Sequence, residues 1–138
     1  MNTATRPELS IAAFESGSID AEAFDHESHV YVAWLYLERY SVSEAIARFV
    51  AALKRLTESL GQVDKYHETI TWFFMLLLAE RRSLAGACDW LKFRRCNEDI
   101  CASPDPILKQ YYSRDLLASV QARQSFMLPD KLGHCIEI

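Results

Sequence analysis

The chain has 138 residues, of which half are hydrophobic and a quarter charged, and its formal net charge is -4. This size and composition predict one globular domain over residues 1–138 with a core of its own. The acidic balance, without a cluster of Lys and Arg, argues against a nucleic-acid-binding surface.

Hydrophobic segments predict neither a membrane span nor a secretion signal. The most apolar run, residues 72–79, is far shorter than the roughly 20 residues needed to cross a bilayer. The N-terminus lacks the long apolar core of a signal peptide. We therefore expect a cytoplasmic protein without a membrane partner. In that reducing compartment its four cysteines are expected to be free thiols.

Helical spacing of apolar residues runs through most of the chain, whereas strand and hairpin signals are nearly absent. The pattern predicts an all-α, compact helical bundle of about five to six helices, with flexible tails at residues 1–7 and 131–138. A short first helix begins near Leu9 and ends near Gly17.

Three long helices are predicted next, over residues 25–40, 42–60 and 65–82. Asp25 and Asp64 are the expected N-caps of the first and third, and Gly61 follows the end of the second. The very short connection between the first two predicts an antiparallel pair. We therefore expect these three helices to form an up-down-up core.

The C-terminal part is less regular. A short helix is expected around residues 89–95, and a second begins at Ser103-Pro104. Ser113 is expected to cap a last helix, after which residues 126–130 form an extended apolar segment.

Three of the four histidines fall at the predicted starts of the long helices. His26 and His29 extend the inward stripe of the first long helix, and His67 lies in the first turn of the third. If these two helices run parallel, their N-termini lie at the same end of the bundle. The sequence therefore predicts a histidine cluster, and with it a metal-binding or acid–base site.

The chemistry of such a site follows from its donors. Two histidines three residues apart lie about 60° apart around a helix, so both can face one ion, and His67 would be the third ligand. Zinc or iron is the expected divalent transition metal. Glu68 or Glu27 would act as general base, and Tyr66 as a proton donor. Substrate would contact Lys65, or Thr71 on the face of His67.

These residues lead to a hypothesis of a small metal-dependent enzyme, a hydrolase, lyase or isomerase, acting on a small-molecule substrate. One alternative is a metal-free acid–base isomerase or lyase in which His67 moves a proton. Another is a non-catalytic ligand-binding or accessory protein. The protein is also a candidate to form a homodimer. In a fourth interpretation, each histidine is a hydrogen-bonded residue at a helix boundary.

Three segments together resemble a group of small bacterial all-helical proteins. They are the Phe-x-His-x-x-His segment within residues 24–37, Lys-Tyr-His-Glu-Thr-Ile-Thr at 65–71, and Phe-Met-Leu-Pro-Asp at 126–130. The resemblance covers residues 14–130. It implies that the two histidine segments belong to one recurring pattern, and it implies no particular activity.

A second similarity is architectural. Bundles of the DinB type, which include thiol-dependent transferases and maleylpyruvate isomerases, hold a metal with three histidines. That family has a His-x-x-x-His pair late in the chain, whereas this chain has a His-x-x-His pair early.

Overall fold

A computed structural model describes residues 9–131, and every regular element in that range is a helix. The predicted all-α class is confirmed. The predicted tails, 1–7 and 131–138, lie outside the described residues except for Lys131. Within 9–131, no helix combines the length and the apolar character that a bilayer span requires.

The described part contains nine α-helices, more than the five to six expected. In chain order they are α1 Ile11–Ser16, α2 His26–Arg39, α3 Val42–Ser59, α4 Glu68–Ala85, α5 Trp90–Cys96, α6 Glu98–Cys101, α7 Asp105–Tyr111, α8 Arg114–Ala118 and α9 Val120–Gln124. Two short 3₁₀ turns, Ala21–Ala23 and Val63–Lys65, precede α2 and α4.

Helices α2 and α3 begin where the sequence predicts. The Asp25 carboxylate accepts a hydrogen bond from the Ser28 amide at 2.9 Å, and the Ser41 hydroxyl accepts one from Glu44 at 3.4 Å. Each cap satisfies an amide that the helix itself leaves without a partner. After α3 the chain turns at Gly61, whose φ of 66° suits a residue without a Cβ.

The predicted start of α4 is wrong. Residues 63–65 form a 3₁₀ turn, and α4 begins only at Glu68 and continues to Ala85. Its N-cap is His67, because the Nδ1 atom of this imidazole accepts a hydrogen bond from the Ile70 amide at 3.2 Å. Asp64 therefore does not cap α4.

Contacts along the long helices define their directions. The His26 ring packs edge-on against Phe74, and Glu38 pairs with Arg82 at 2.6 Å, so α2 and α4 run parallel. Tyr36, late in α2, packs against Phe49 in the first half of α3. Helices α2 and α3 are therefore antiparallel, and the starts of α2 and α4 lie at one end of the bundle.

Five short helices complete the core where about three were expected. Buried Asn97 separates α5 from α6: it accepts a hydrogen bond from Arg81 and donates one to the Phe93 carbonyl. After α9, residues 126–130 form no helix or strand, and their expected extended conformation stays a prediction. Thr69 of α4 anchors this segment, since its hydroxyl donates to the Ser125 carbonyl and accepts from the Met127 amide.

The described range contains three of the four cysteines. Cys88, Cys96 and Cys101 form no disulfide with one another, and their redox state stays a prediction. The fourth, Cys135, lies outside the described residues.

Candidate functional site

Two adjacent cavities open at the end of the bundle where α2 and α4 begin. The first, here called the apolar cavity, has a volume of about 340 Å³ and lies between α2, α3 and α4. The second, the polar cavity, has about 390 Å³ and lies between α3, α4 and the 63–65 turn. Both fall within the range of about 300–1,000 Å³ that is typical of small-molecule sites. Their shared wall consists of Phe24, His29, Leu53, Ile70 and Thr71.

Aliphatic and aromatic side chains of the core form most of the apolar cavity. They include Val30, Ala33, Phe49, Met75 and Leu78, all of which are buried. The polar side chains in its lining are Asp25, His26, His29 and Thr71. The helical periodicity that builds the core therefore also builds the cavity, because each of these helices contributes an apolar stripe.

His29 lies in the wall that the two cavities share. Its ring stacks beside Phe24, with 4.1 Å between the ring centroids. The pKa of His29 is lowered to about 4, mainly by burial and then by nearby His26, while Asp25 acts in the opposite direction. Because this pKa lies far below 7, the imidazole is neutral at physiological pH and offers one donor and one acceptor.

No residue between 9 and 131 forms a hydrogen bond with either ring nitrogen of His29. The other two histidines of the predicted cluster, in contrast, have partners. The Nε2 atom of His26 donates to the Ile100 carbonyl at 2.8 Å, which ties the start of α2 to α6. His29 is therefore the cluster's one imidazole that can give both of its nitrogens to a ligand.

Both nitrogens of His67 are engaged with the backbone. Nδ1 accepts from the Ile70 amide, and Nε2 donates to the Leu117 carbonyl at 2.7 Å. Since a carbonyl can only accept, this pattern assigns the proton of the neutral ring to Nε2. His67 is a structural link that caps α4 and holds α8 in place.

The three histidines predicted as metal ligands differ in how many ring nitrogens are already bonded within the protein. Both nitrogens of His67 are occupied, and so is Nε2 of His26. Within residues 9–131, no group of three or more His, Cys, Asp or Glu side chains is arranged to hold a metal ion. A zinc or iron site on these three histidines stays a prediction from the sequence.

Comparison with known proteins finds no protein-family model, no curated protein and no solved structure that matches this chain. The similarity to DinB-type bundles therefore stays a prediction that rests on sequence alone.

Each predicted general base has an ion-pair partner and lies outside the lining of both cavities. The Glu27 carboxylate pairs with Arg94 at 3.0 Å. Glu68 accepts a hydrogen bond from the Tyr66 hydroxyl and lies 3.6 Å from the Lys54 ammonium group. Burial, and then Glu68, raise the pKa of Tyr66, so this phenol keeps its proton.

The two residues expected to contact substrate lie in the cavity walls. Lys65 and Thr71 both line the polar cavity, and Thr71 also lines the apolar one. The Thr71 hydroxyl donates to the His67 carbonyl at 2.8 Å, as a helical threonine often does. Lys65 is exposed, and no described carboxylate pairs with it.

Sequence reasoning did not assign the apolar lining residues to a site, and it also missed Gln62. Phe24 carried a signal, because it is an aromatic residue five positions before His29. Gln62 carried none, since a polar residue after a helix-ending glycine is ordinary surface composition.

Proposed function

We propose that this protein binds a small, largely apolar molecule in the apolar cavity and that His29 is its polar anchor. The observation that carries this proposal is the neutral His29 imidazole, which lies in the wall of a mostly apolar cavity and has no hydrogen-bond partner among residues 9–131. A mostly apolar cavity with a few converging polar groups is the usual form of a small-molecule site.

Energetics supports a ligand at this position. The net contribution of a hydrogen bond that replaces one to water is about 0.5–1.5 kcal/mol. A bound hydroxyl or carbonyl group would make such a bond with His29, while the rest of the ligand would gain from contact with Val30, Ala33 and Met75. Both contributions favour occupancy of the cavity.

Binding is favoured over acid–base catalysis because the available groups are poorly matched to proton transfer near pH 7. A general base works best when its pKa lies near the working pH, and that of His29 lies well below it. His67, the residue expected to move a proton in the metal-free alternative, has both nitrogens engaged. A non-catalytic ligand-binding protein is therefore the function that we propose.

The proposed setting is the cytoplasm, with a small molecule as the partner and without nucleic acid. A homodimer stays a prediction, which light scattering of the purified protein would test.

Calorimetric titration with octan-1-ol tests the proposal. The matched variants are Ala33→Leu, which adds three carbon atoms inside the apolar cavity, and Ala47→Leu, which adds the same group on the exposed face of α3. We expect saturable binding to the wild type and to Ala47→Leu, and at least tenfold weaker binding to Ala33→Leu. Equal binding to all three proteins, or no binding to the wild type, would contradict the proposal.

A further inference from the structure

We infer that the ligand is an amphiphilic monoanion, whose apolar body occupies the apolar cavity and whose charged end contacts Lys65 in the polar cavity. This inference rests on the proposed function and specifies the chemical class of the ligand. A medium-chain carboxylate or an aryl-alkyl carboxylate has this form.

The polar cavity has more side-chain hydrogen-bond donors than the protein itself uses. Four lining side chains already donate their polar hydrogens inside the protein. They are Thr57 to the Lys54 carbonyl, Tyr66 to Glu68, His67 to the Leu117 carbonyl, and Thr71 to the His67 carbonyl. The side chains of Gln62, Lys65 and His29 have no hydrogen-bond acceptor among residues 9–131. Three side chains are therefore left to donate to a ligand, which suits a group with several acceptor lone pairs, such as a carboxylate.

Charge is distributed unevenly between the two cavities. Among the described residues, Lys65 lines the polar cavity and no carboxylate does, Asp64 included. Glu68, which is bonded to Tyr66 of this lining, has its own cationic neighbour in Lys54 at 3.6 Å. Arg123 adds a second cation beside the same turn, because its guanidinium donates to the backbone carbonyls of Asp64 and Tyr66 at 2.8 and 3.2 Å. This end of the site therefore attracts an anion and repels a cation.

The lining of the apolar cavity also sets the orientation of the ligand. Among the residues described for that lining, Asp25 is acidic and none is Lys or Arg. A carboxylate placed there would lose water to a mostly apolar lining without gaining a cationic partner, and it would lie near the like charge of Asp25, both of which are unfavourable. Because neutral His29 lies between the two cavities, it can donate to the anion without adding a charge of its own.

The test compares three probes that share one alkyl chain, namely octanoate, octan-1-ol and octylamine. Each is titrated by calorimetry at pH 7 into the wild type, into Lys65→Gln and into the matched control Lys92→Gln. Lys92 is exposed on α5 and lines neither cavity. We expect octanoate to bind about fivefold more tightly than octan-1-ol to the wild type and to Lys92→Gln. In Lys65→Gln this preference should disappear while octan-1-ol binding stays the same.

The other outcomes separate this inference from the proposal beneath it. If octanoate and octan-1-ol bind equally, or if octylamine binds most tightly, the inference is wrong and the binding cavity stands. A preference for octanoate that persists in Lys65→Gln would overturn the role of Lys65. If none of the three probes binds, both the inference and the proposed function fall.

Discussion

Acidification should destabilise this protein through His29, and the size of the effect follows from the structure. The pKa of His29 lies at about 4 in the folded protein and at 6.5 as the ordinary value for the unfolded chain. Between these values the unfolded chain binds more protons than the folded one, so stability rises with pH and falls on acidification. The loss of stability on acidification therefore develops between pH 6.5 and pH 4.

At pH 5 this linkage predicts a loss of about 2 kcal/mol in the free energy of unfolding relative to pH 7. Water that enters the cavity and solvates the imidazolium would reduce this loss. The assay is urea unfolding of the wild type and of His29→Gln at both values of pH. Titration of the other groups is common to both proteins, so the difference between their losses reports His29. Equal losses, or a pKa near 6.5 for His29 in a nuclear magnetic resonance titration, would refute the reasoning.

Three further predictions concern the same end of the bundle. His67→Ala should lower the free energy of unfolding by about 2 kcal/mol, because it removes a helix cap and a bond to Leu117, whereas His67→Asn should recover the cap; equal urea midpoints for these variants and the wild type would contradict this. Within a series of n-alkanols, each added methylene should tighten the dissociation constant about fourfold until the apolar cavity is full, and a flat calorimetric series would speak against that cavity. The untagged protein, purified without chelator, should contain well under one equivalent of transition metal by elemental analysis, because His67 is committed to the backbone; one equivalent that is lost in His26→Ala, His29→Ala and His67→Ala would contradict this and support the three-histidine site.

Much of the fold could be predicted from the sequence because its signals are local. The apolar stripes of α2 and α3 repeat at helical spacing, and Asp25 and Ser41 are favoured capping residues. The start of α4 was misplaced because a histidine is not among those favoured residues. Its capping role depends on the position of a ring nitrogen, which the sequence does not show.

The C-terminal half was harder to predict because contacts distant in sequence determine its breaks. Asn97 ends α5 with a side chain held by Arg81, and Thr69 anchors the segment that follows α9. Each contact joins residues that lie far apart in the chain. Periodicity in a short window carries no information about such contacts.

The sequence indicated the end of the bundle at which the candidate site lies, and it included His29 among three histidines. It did not indicate which of the three has ring nitrogens without a hydrogen-bond partner in the described part of the protein. His26 and His67 have the same imidazole ring as His29. They differ from it because their Nε2 atoms donate hydrogen bonds to the carbonyls of Ile100 and Leu117. Those carbonyls lie in parts of the chain that no motif connects to the histidines, so the predicted ligand set could not be separated from a set of structural links.

The central claim is that a ligand enters the apolar cavity and contacts His29. Its most direct test is a titration of the wild-type protein with octan-1-ol, followed through the imidazole ¹H–¹⁵N resonances of the histidines. The account predicts that the ring nitrogens of His29 shift saturably, with one dissociation constant, while the Nε2–H resonances bonded to Ile100 and Leu117 persist. Saturable binding that leaves the His29 resonances unmoved would contradict the account.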